Sequence, residues 1–225
     1  MNKRIVPAES VLVLDLDDTL YAEYHYKLSG IQAVCRHIAA LYPQHTSDGL
    51  LAQIDPESSS WLEQICAACG FNNDEKQSLL WLYRLHTPNL TGYIPSEKLK
   101  QLMRPFASRV LVSDGRSFTQ RQKLKALGLL DAFDQLLISE ACRSEKPDEK
   151  RFCAIQVAYP GKTCIYVGDN IKKDFLAPNR LGWLTIGILP QAHNIHRYRP
   201  QDFDAAHQPA LWLSSIDGLA SLINT

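Results

Sequence analysis

The sequence predicts an α/β fold: a doubly wound parallel sheet with an all-helical segment inserted after its first strand. Three observations predict it. Short apolar runs, rich in β-branched residues, recur and end in polar residues. From about residue 105 onward they alternate with helical patterns, the signature of βαβ units. Between the first run and the second, from Leu14 to Val110, no convincing strand pattern occurs.

Taken in order, Val11–Leu14 stops at Asp15, and Val110–Val112 stops at Ser113, Asp114 and Gly115. Leu136–Ile138 stops at Ser139, Cys164–Val167 stops at Gly168 and Asp169, and Leu184–Ile188 is a fifth run. Continuous apolar runs without strict alternation suit strands covered on both faces, which favours a parallel sheet. Helices are expected between them. Gln120 to Leu127 is a basic amphipathic stretch closed by Gly128, a residue suited to a helix C-terminus. Asp148 to Ala158 carries Phe152, Ile155 and Val157 near helical spacing, and Asp174 to Arg180 is a short helix with Gly182 beyond it.

The insertion is expected to be helical throughout. Leu28, Ile31, Val34, Cys35, Ile38 and Leu41 fall on one face, ending at Pro43. Ser58 to Ser60 can cap a helix over Trp61 to Cys69, with Gly70 after it. Leu79, Leu80, Leu82, Tyr83 and His86 mark another, stopped near Pro88. Ile94, Pro95 and Ser96 then start the helix that returns to the core. This divides the chain into a core, 1–21 with 94–225, and a helical insertion, 22–93.

Composition limits the function. The chain has 225 residues, 45% hydrophobic and 21% charged, a usual balance for a packed globular protein. Its 24 basic and 24 acidic residues cancel, so no basic surplus points to nucleic acid or an anionic membrane. No stretch approaches the ~20 apolar residues of a membrane span, and the polar amino terminus leads into only four apolar residues. Six cysteines without an export signal read as reduced thiols of a cytoplasmic protein. Cys66 and Cys69 form a C-x-x-C, but with Trp61, Leu62 and Ile65 they also make one apolar helical stripe, and no second pair follows at zinc-ribbon spacing. Packing is the reading that stripe supports.

Ligands of doubly wound sheets sit at the carboxyl ends of the strands, beside the point where strand order reverses. Here the strand ends deliver Asp15, Ser113, Ser139 with the following Lys146, and Asp169. Asp15 and Asp17 are two apart and can project to one side. Asp18 and Thr19 suit an Asx turn or helix cap, but an Asp ending a buried strand beside a second carboxylate needs a cation to offset the repulsion. Gly168 permits a tight turn, and a single helical turn brings Asp174 back beneath Asp169. Asp15, Asp169 and Asp174 form a hard-oxygen set suited to Mg²⁺, and the absence of Cys and His from these turns argues against zinc. Pro147 fits the first turn of a new helix and fixes the loop carrying Lys146. Ser113 with Gly115 can present a hydroxyl and backbone N–H groups to an oxyanion.

At this point the chain resembles the haloacid dehalogenase superfamily, and its phosphatase branch in particular. Asp15-Leu16-Asp17-Asp18-Thr19 looks like that family's first motif, Ser113-Asp114-Gly115 its second, Lys146-Pro147 its third, and Gly168-Asp169 with Asp174 its fourth. Four motifs in order at strand ends cover nearly the whole chain. One departure is Asp114, where many relatives carry Asn. The resemblance implies a Rossmann-like core with the helical segment as a cap. It also implies a phosphate monoester hydrolase in which Asp15 attacks phosphorus, forming an aspartyl-phosphate. Mg²⁺ on Asp15, Asp169 and Asp174, with Asp17 counted beside them, would neutralise the transferring group together with Lys146 and Ser113. Asp114, Gly115 and Arg116 would complete the phosphate-binding loop. Asp17 would protonate the leaving oxygen and then deprotonate water, roles that one carboxyl serves if its pKa is raised toward neutrality.

A haloacid dehalogenase would use the first aspartate but need neither metal nor a leaving-group acid, so Asp17 and the Asp169/Asp174 pair favour phosphate. A phosphomutase shares these motifs, and a non-catalytic binding module on the same fold is the rival from another class. The partner expected is a small phosphate ester such as a sugar phosphate or nucleotide. Tyr21, Glu23, Tyr24, His25, Tyr26 and Lys27 lie where a cap would meet the leaving group, although the tyrosines also suit packing. His193, His196 and Arg197 are expected in a surface loop.

Overall fold

The computed structural model describes residues 5–195 and 198–223; His196 and Arg197 lie outside the described residues. Six strands form one wholly parallel sheet: β1 (Ser10–Leu14), β2 (Ser108–Ser113), β3 (Gln135–Ile138), β4 (Thr163–Gly168), β5 (Leu184–Ile188) and β6 (Leu211–Leu213), in spatial order β3-β2-β1-β4-β5-β6. The chain runs outward from β1 to β3 and then returns to place β4 on the other side of β1. Strand order therefore reverses between β1 and β4, where such sheets bind ligands. Every residue of β1 is buried, which is why its sequence reads as an unbroken apolar run. Val11, Val13, Val110, Val112, Phe152, Ile155, Tyr166, Phe175 and Trp183 pack into one core layer.

Five of the strands coincide with the five expected runs. The sixth was not expected. β6 has only three residues, follows Pro209 and is half-buried, so it lacks the long apolar run that marks a covered strand. The helices are α1 (Glu23–Leu41), α2 (Ser47–Leu51), α3 (Trp61–Cys69), α4 (Asn73–Leu85), α5 (Ser96–Met103), α6 (Ser117–Ala126), α7 (Ser139–Cys142), α8 (Lys150–Ala158) and α9 (Leu176–Arg180). Among the described residues, no helix is long and apolar enough to cross a membrane.

Several boundaries differ from expectation. α8 begins at Lys150, so Pro147 lies in the turn before the helix, after a cis Lys146–Pro147 bond. Val157 is exposed while Phe152 and Ile155 are buried. Ser60 occupies the N-cap position of α3 without a side-chain cap bond; its hydroxyl lies 2.8 Å from the Ser58 hydroxyl, which also accepts the Ser60 N–H. The stronger cap is at α4, where the Asn72 side chain accepts from the Asp74 and Glu75 N–H groups and Glu75 reaches back to the Asn72 N–H. Gly128 closes α6 with φ 69°, and Leu129 N–H bonds back to Leu124 O at 2.8 Å.

The chain divides into two compact units, Met1–Glu23 with Thr91–Thr225, and Tyr24–Leu90. The second has its own core of Ile31, Val34, Cys35, Ile38, Leu62, Ile65, Cys66 and neighbours. Cys66 is buried in that core and Cys69 packs against it. Within this unit Tyr26 meets Tyr83 edge-on at 5.6 Å, and Lys27 Nζ donates to the Glu57 and Ser58 carbonyls.

Candidate active site

Adjacent parallel strands end side by side, so β1 and β4 deliver two carboxylates to one spot. Asp15 follows β1 and donates its N–H to Val167 O at 2.9 Å, while Asp169 follows β4. A turn closed by Asp174 N–H to Asn170 O, 2.9 Å, returns a third, and Asp174 Oδ2 accepts from the Asn170 N–H at 2.8 Å. Gly168 makes room for it, since a Cβ there would collide with the Asp174 carboxylate. Asp15, Asp169 and Asp174 are all buried, and each offers an oxygen within 4.8 Å of the others. Thr19 Oγ1 donates to Asp169 Oδ1 at 3.2 Å.

Lys146 enters this cluster from the loop before α8. Its Nζ lies 2.8 Å from Asp15 Oδ1, 2.7 Å from Asp174 Oδ1 and 3.1 Å from the Tyr166 hydroxyl. The Tyr166 hydroxyl lies 3.3 Å from Asp174 Oδ1. Lys146 thus pairs with Asp15 and Asp174, while Asp169 accepts from Thr19. Burial pushes Asp15 up to about 7, with Lys146 opposing and Asp174 adding to the rise. Asp169 is pushed well above the carboxylate range by burial and by Asp174 and Asp15. Burial alone would lower Lys146, but Asp15 and Asp174 hold it well above its ordinary value. Buried carboxylates resisting ionisation are relieved by a cation, and an all-oxygen donor set of this kind fits Mg²⁺.

Asp17 does not join that cluster. Its Oδ1 is 2.7 Å from Lys123 Nζ and also accepts from the Tyr21 hydroxyl, and its Oδ2 accepts from Gln120 Nε2 at 2.7 Å. These donors correct the expected pKa. Burial raises the carboxyl, but Lys123, Tyr21 and Gln120 outweigh it and hold Asp17 below its ordinary value. The expectation of a pKa raised toward neutrality came from the double acid–base role alone, and the cation 106 residues away was invisible to it.

Ser113 ends β2, buried, with its Oγ accepting from Gln120 Nε2 at 2.6 Å. Asp114 turns sideways. It pairs with Arg151, lies 3.1 Å from Lys173 Nζ, and accepts the Lys146 N–H at 3.3 Å. Asp in place of Asn here therefore braces the lysine loop. Gly115 takes φ 137°, a conformation reserved for glycine, and donates its N–H to Ser139 Oγ at 2.9 Å. Arg116 is half-exposed and its guanidinium lies 3.4 Å from Glu140. Asp18 adopts φ 54° and its carboxylate accepts from the Glu23 and Ile195 N–H groups, the turn role expected of it. His193 is exposed, as expected of a surface loop.

A cavity of about 180 Å³ opens over these groups, lined by Asp15, Asp17, Lys146 and Asp169, and also by Asp18, Glu23, Asp114, Asn170 and Lys173. Sequence reading missed Thr19, Tyr166, Gln120 and Lys123 as parts of the site. A signal for the last two exists: Gln120, Lys123, Leu124 and Leu127 share one helical stripe, and all are buried. Two polar residues heading an apolar stripe point to a partner in the interior.

The family model of the haloacid dehalogenase-like hydrolases matches residues 12–188. Glyceraldehyde 3-phosphate phosphatase of Methanopyrus kandleri is 31% identical over 185 residues, which cover 80% of this chain and 70% of that protein. In fold, the chain is similar to the HAD-hydrolase YfnB of Bacillus subtilis, solved bound to magnesium, with TM-score 0.64 and 15% identity over 96% of this chain and 99% of that one. It is similar also to L-2-haloacid dehalogenase of Xanthobacter autotrophicus, with TM-score 0.58 and 15% identity over 97% and 98%. By sequence match over most of its length, and by a fold shared with these structures, the chain belongs to the haloacid dehalogenase-like hydrolase family.

Proposed function

We propose that the protein is a magnesium-dependent phosphate monoester hydrolase acting through an aspartyl-phosphate on a small phosphorylated metabolite, a sugar phosphate or a nucleotide. The observation that carries this reading is the excess of buried carboxylate over cation around Asp15, Asp169, Asp174 and Lys146. A dehalogenase needs neither a metal nor an acid for its leaving group, so this excess and the held carboxylate of Asp17 would have no use there. The phosphatase named among the relatives supports the same class.

In this reading an Asp15 oxygen attacks phosphorus in line, and the ester oxygen departs with the proton carried by Asp17. Water then attacks the aspartyl-phosphate, giving its proton to Asp17, and inorganic phosphate leaves with Asp15 restored. Lys123, Tyr21 and Gln120 favour the ionised form of Asp17. Entry of a phosphate anion beside it disfavours its negative charge and moves it toward the protonated form. Magnesium held by Asp15, Asp169 and Asp174 supplies charge neutralisation of the transferring group. Lys146 and the Ser113 hydroxyl hold its oxygens, and Gln120 donating to Ser113 Oγ leaves the hydroxyl proton free for phosphate. The helical unit, residues 22–93 on the sequence boundaries, is proposed as the cap that selects the leaving group.

The test is a magnesium-supplemented screen of phosphorylated metabolites, run beside Asp15→Asn. Turnover that EDTA abolishes and that falls at least about 10³-fold in the variant is expected. Full activity in EDTA, or substantial hydrolysis by clean Asp15→Asn protein, would overturn the reading.

A further inference from the structure

We infer that Lys123 and Gln120 form a clamp that positions the Asp17 carboxyl for proton transfer to the leaving oxygen; the inference rests on the hydrolase reading above. Lys123 is a lysine only 3% exposed, on the inward stripe of α6, with Nζ 2.7 Å from Asp17 Oδ1 and 3.8 Å from Glu23 Oε1. Burying an ammonium is costly unless it is paired, so this placement asks for a use. Gln120, one turn earlier on the same stripe, takes the other oxygen of Asp17 at 2.7 Å. Both carboxylate oxygens are thus gripped from one rigid helix while Asp17 itself sits on the turn after β1.

The grip is two-sided. The Gln120 amide also reaches Ser113 Oγ at 2.6 Å and Asp114 O at 3.1 Å, so one side chain ties the acid's turn to the phosphate-binding loop. A carboxyl on a loop has free rotamers, and proton transfer needs it within hydrogen-bond reach of the departing oxygen. Anchoring it to a helix removes that freedom. Neither Lys123 nor Gln120 lines the cavity, so both act through Asp17 as positioning residues and not by touching substrate.

A leaving-group comparison tests this. An alkyl phosphate needs a proton on its departing alkoxide, whereas p-nitrophenyl phosphate releases a stable phenolate without one. Lys123→Met should lower kcat/KM for glycerol phosphate about 10²-fold while lowering it less than about 5-fold for p-nitrophenyl phosphate, with KM little changed and partial recovery in Lys123→Arg. If Lys123→Met does not fold, Lys123→Gln is read in the same way, with the thermal midpoint confirming a folded protein. Equal losses on both esters in a folded variant, or no loss on the alkyl ester, would overturn the clamp. A wild-type protein inert to both esters and to the metabolite screen would instead sink the hydrolase reading beneath it.

Discussion

The two ends of the sheet treat charge in opposite ways. At the amino end of β2, Arg109 and Asp134 form a one-to-one pair, Nη2 to Oδ1 at 2.6 Å and Nε to Oδ2 at 3.2 Å. Ser108 Oγ and the Arg109 N–H complete the carboxylate at 2.9 and 2.8 Å, and water reaches both partners. At the carboxyl end, three buried carboxylates converge and one lysine pairs with two of them, Asp15 and Asp174. The same parallel sheet supports both arrangements, so neither is imposed by the fold. Charge at the amino end is balanced within the protein. At the carboxyl end the buried carboxylates outnumber that lysine, the kind of arrangement that working sites retain at a cost in stability.

That contrast predicts where substitution costs rate and where it costs stability. The largest effect on rate after Asp15 falls on Asp17→Asn, which keeps the shape of the side chain but cannot shuttle a proton. A loss of about 10²- to 10⁴-fold in turnover is expected, with the magnesium-induced rise in thermal midpoint retained; a near-normal rate would remove Asp17 from the chemistry. Lys146→Met comes next, now in stability. It leaves Asp15 and Asp174 buried without their shared cation, and losing one partner of a buried set costs about 3–5 kcal/mol. Urea unfolding without magnesium reads that loss, and a cost below about 1 kcal/mol would mean that Asp15 and Asp174 are protonated rather than paired.

Asp169→Asn should act in the other direction. It removes one of the mutually repelling charges, so the metal-free protein gains about 1 kcal/mol, within the range of stabilising single substitutions, while the magnesium-dependent rise in midpoint disappears. A variant that is less stable than wild type in EDTA would show that repulsion is not what dominates this rim.

Much of this was legible in one dimension. A polar residue at the end of an apolar run marks a strand's carboxyl end, so Asp15, Ser113 and Asp169 were placed by the runs of β1, β2 and β4 alone. Asp174 was reachable because a glycine and a four-residue return are local facts. What escaped was pairing across long separations. Lys123 lies 106 residues from Asp17 and Thr19 lies 150 from Asp169, and a Lys on an amphipathic helix resembles any solvated one until its stripe is compared with Leu124 and Leu127. Tyr166 was hidden differently. Inside an apolar strand its ring reads as core, which it is, and only the three-dimensional register shows its hydroxyl between Lys146 and Asp174. The opposite sign of the Asp17 shift has the same origin.

The smallest expected effect is the sharpest control, because it sits at the balanced end. In the folded protein the Arg109 side chain, bonded to Asp134, holds that carboxyl below its ordinary value against slight burial. A carboxyl depressed on folding stabilises the native state above its unfolded pKa, and that contribution fades as pH falls through the folded value. Asp134→Asn should therefore cost at most about 1 kcal/mol at neutral pH, since both partners are partly in water. The cost should shrink toward zero as the solution is acidified below the ordinary carboxylate range, and it should shrink with added salt. Turnover should not change. Urea unfolding of both proteins across pH, with kcat measured at neutral pH, checks all three statements. A pH-independent cost would assign Asp134 a shape role, through its bonds to Ser108 and the Arg109 N–H, in place of a charge role. A fall in turnover would break the separation between the two ends, since a pair at the foot of β2 would then be setting the geometry of Ser113 at its top.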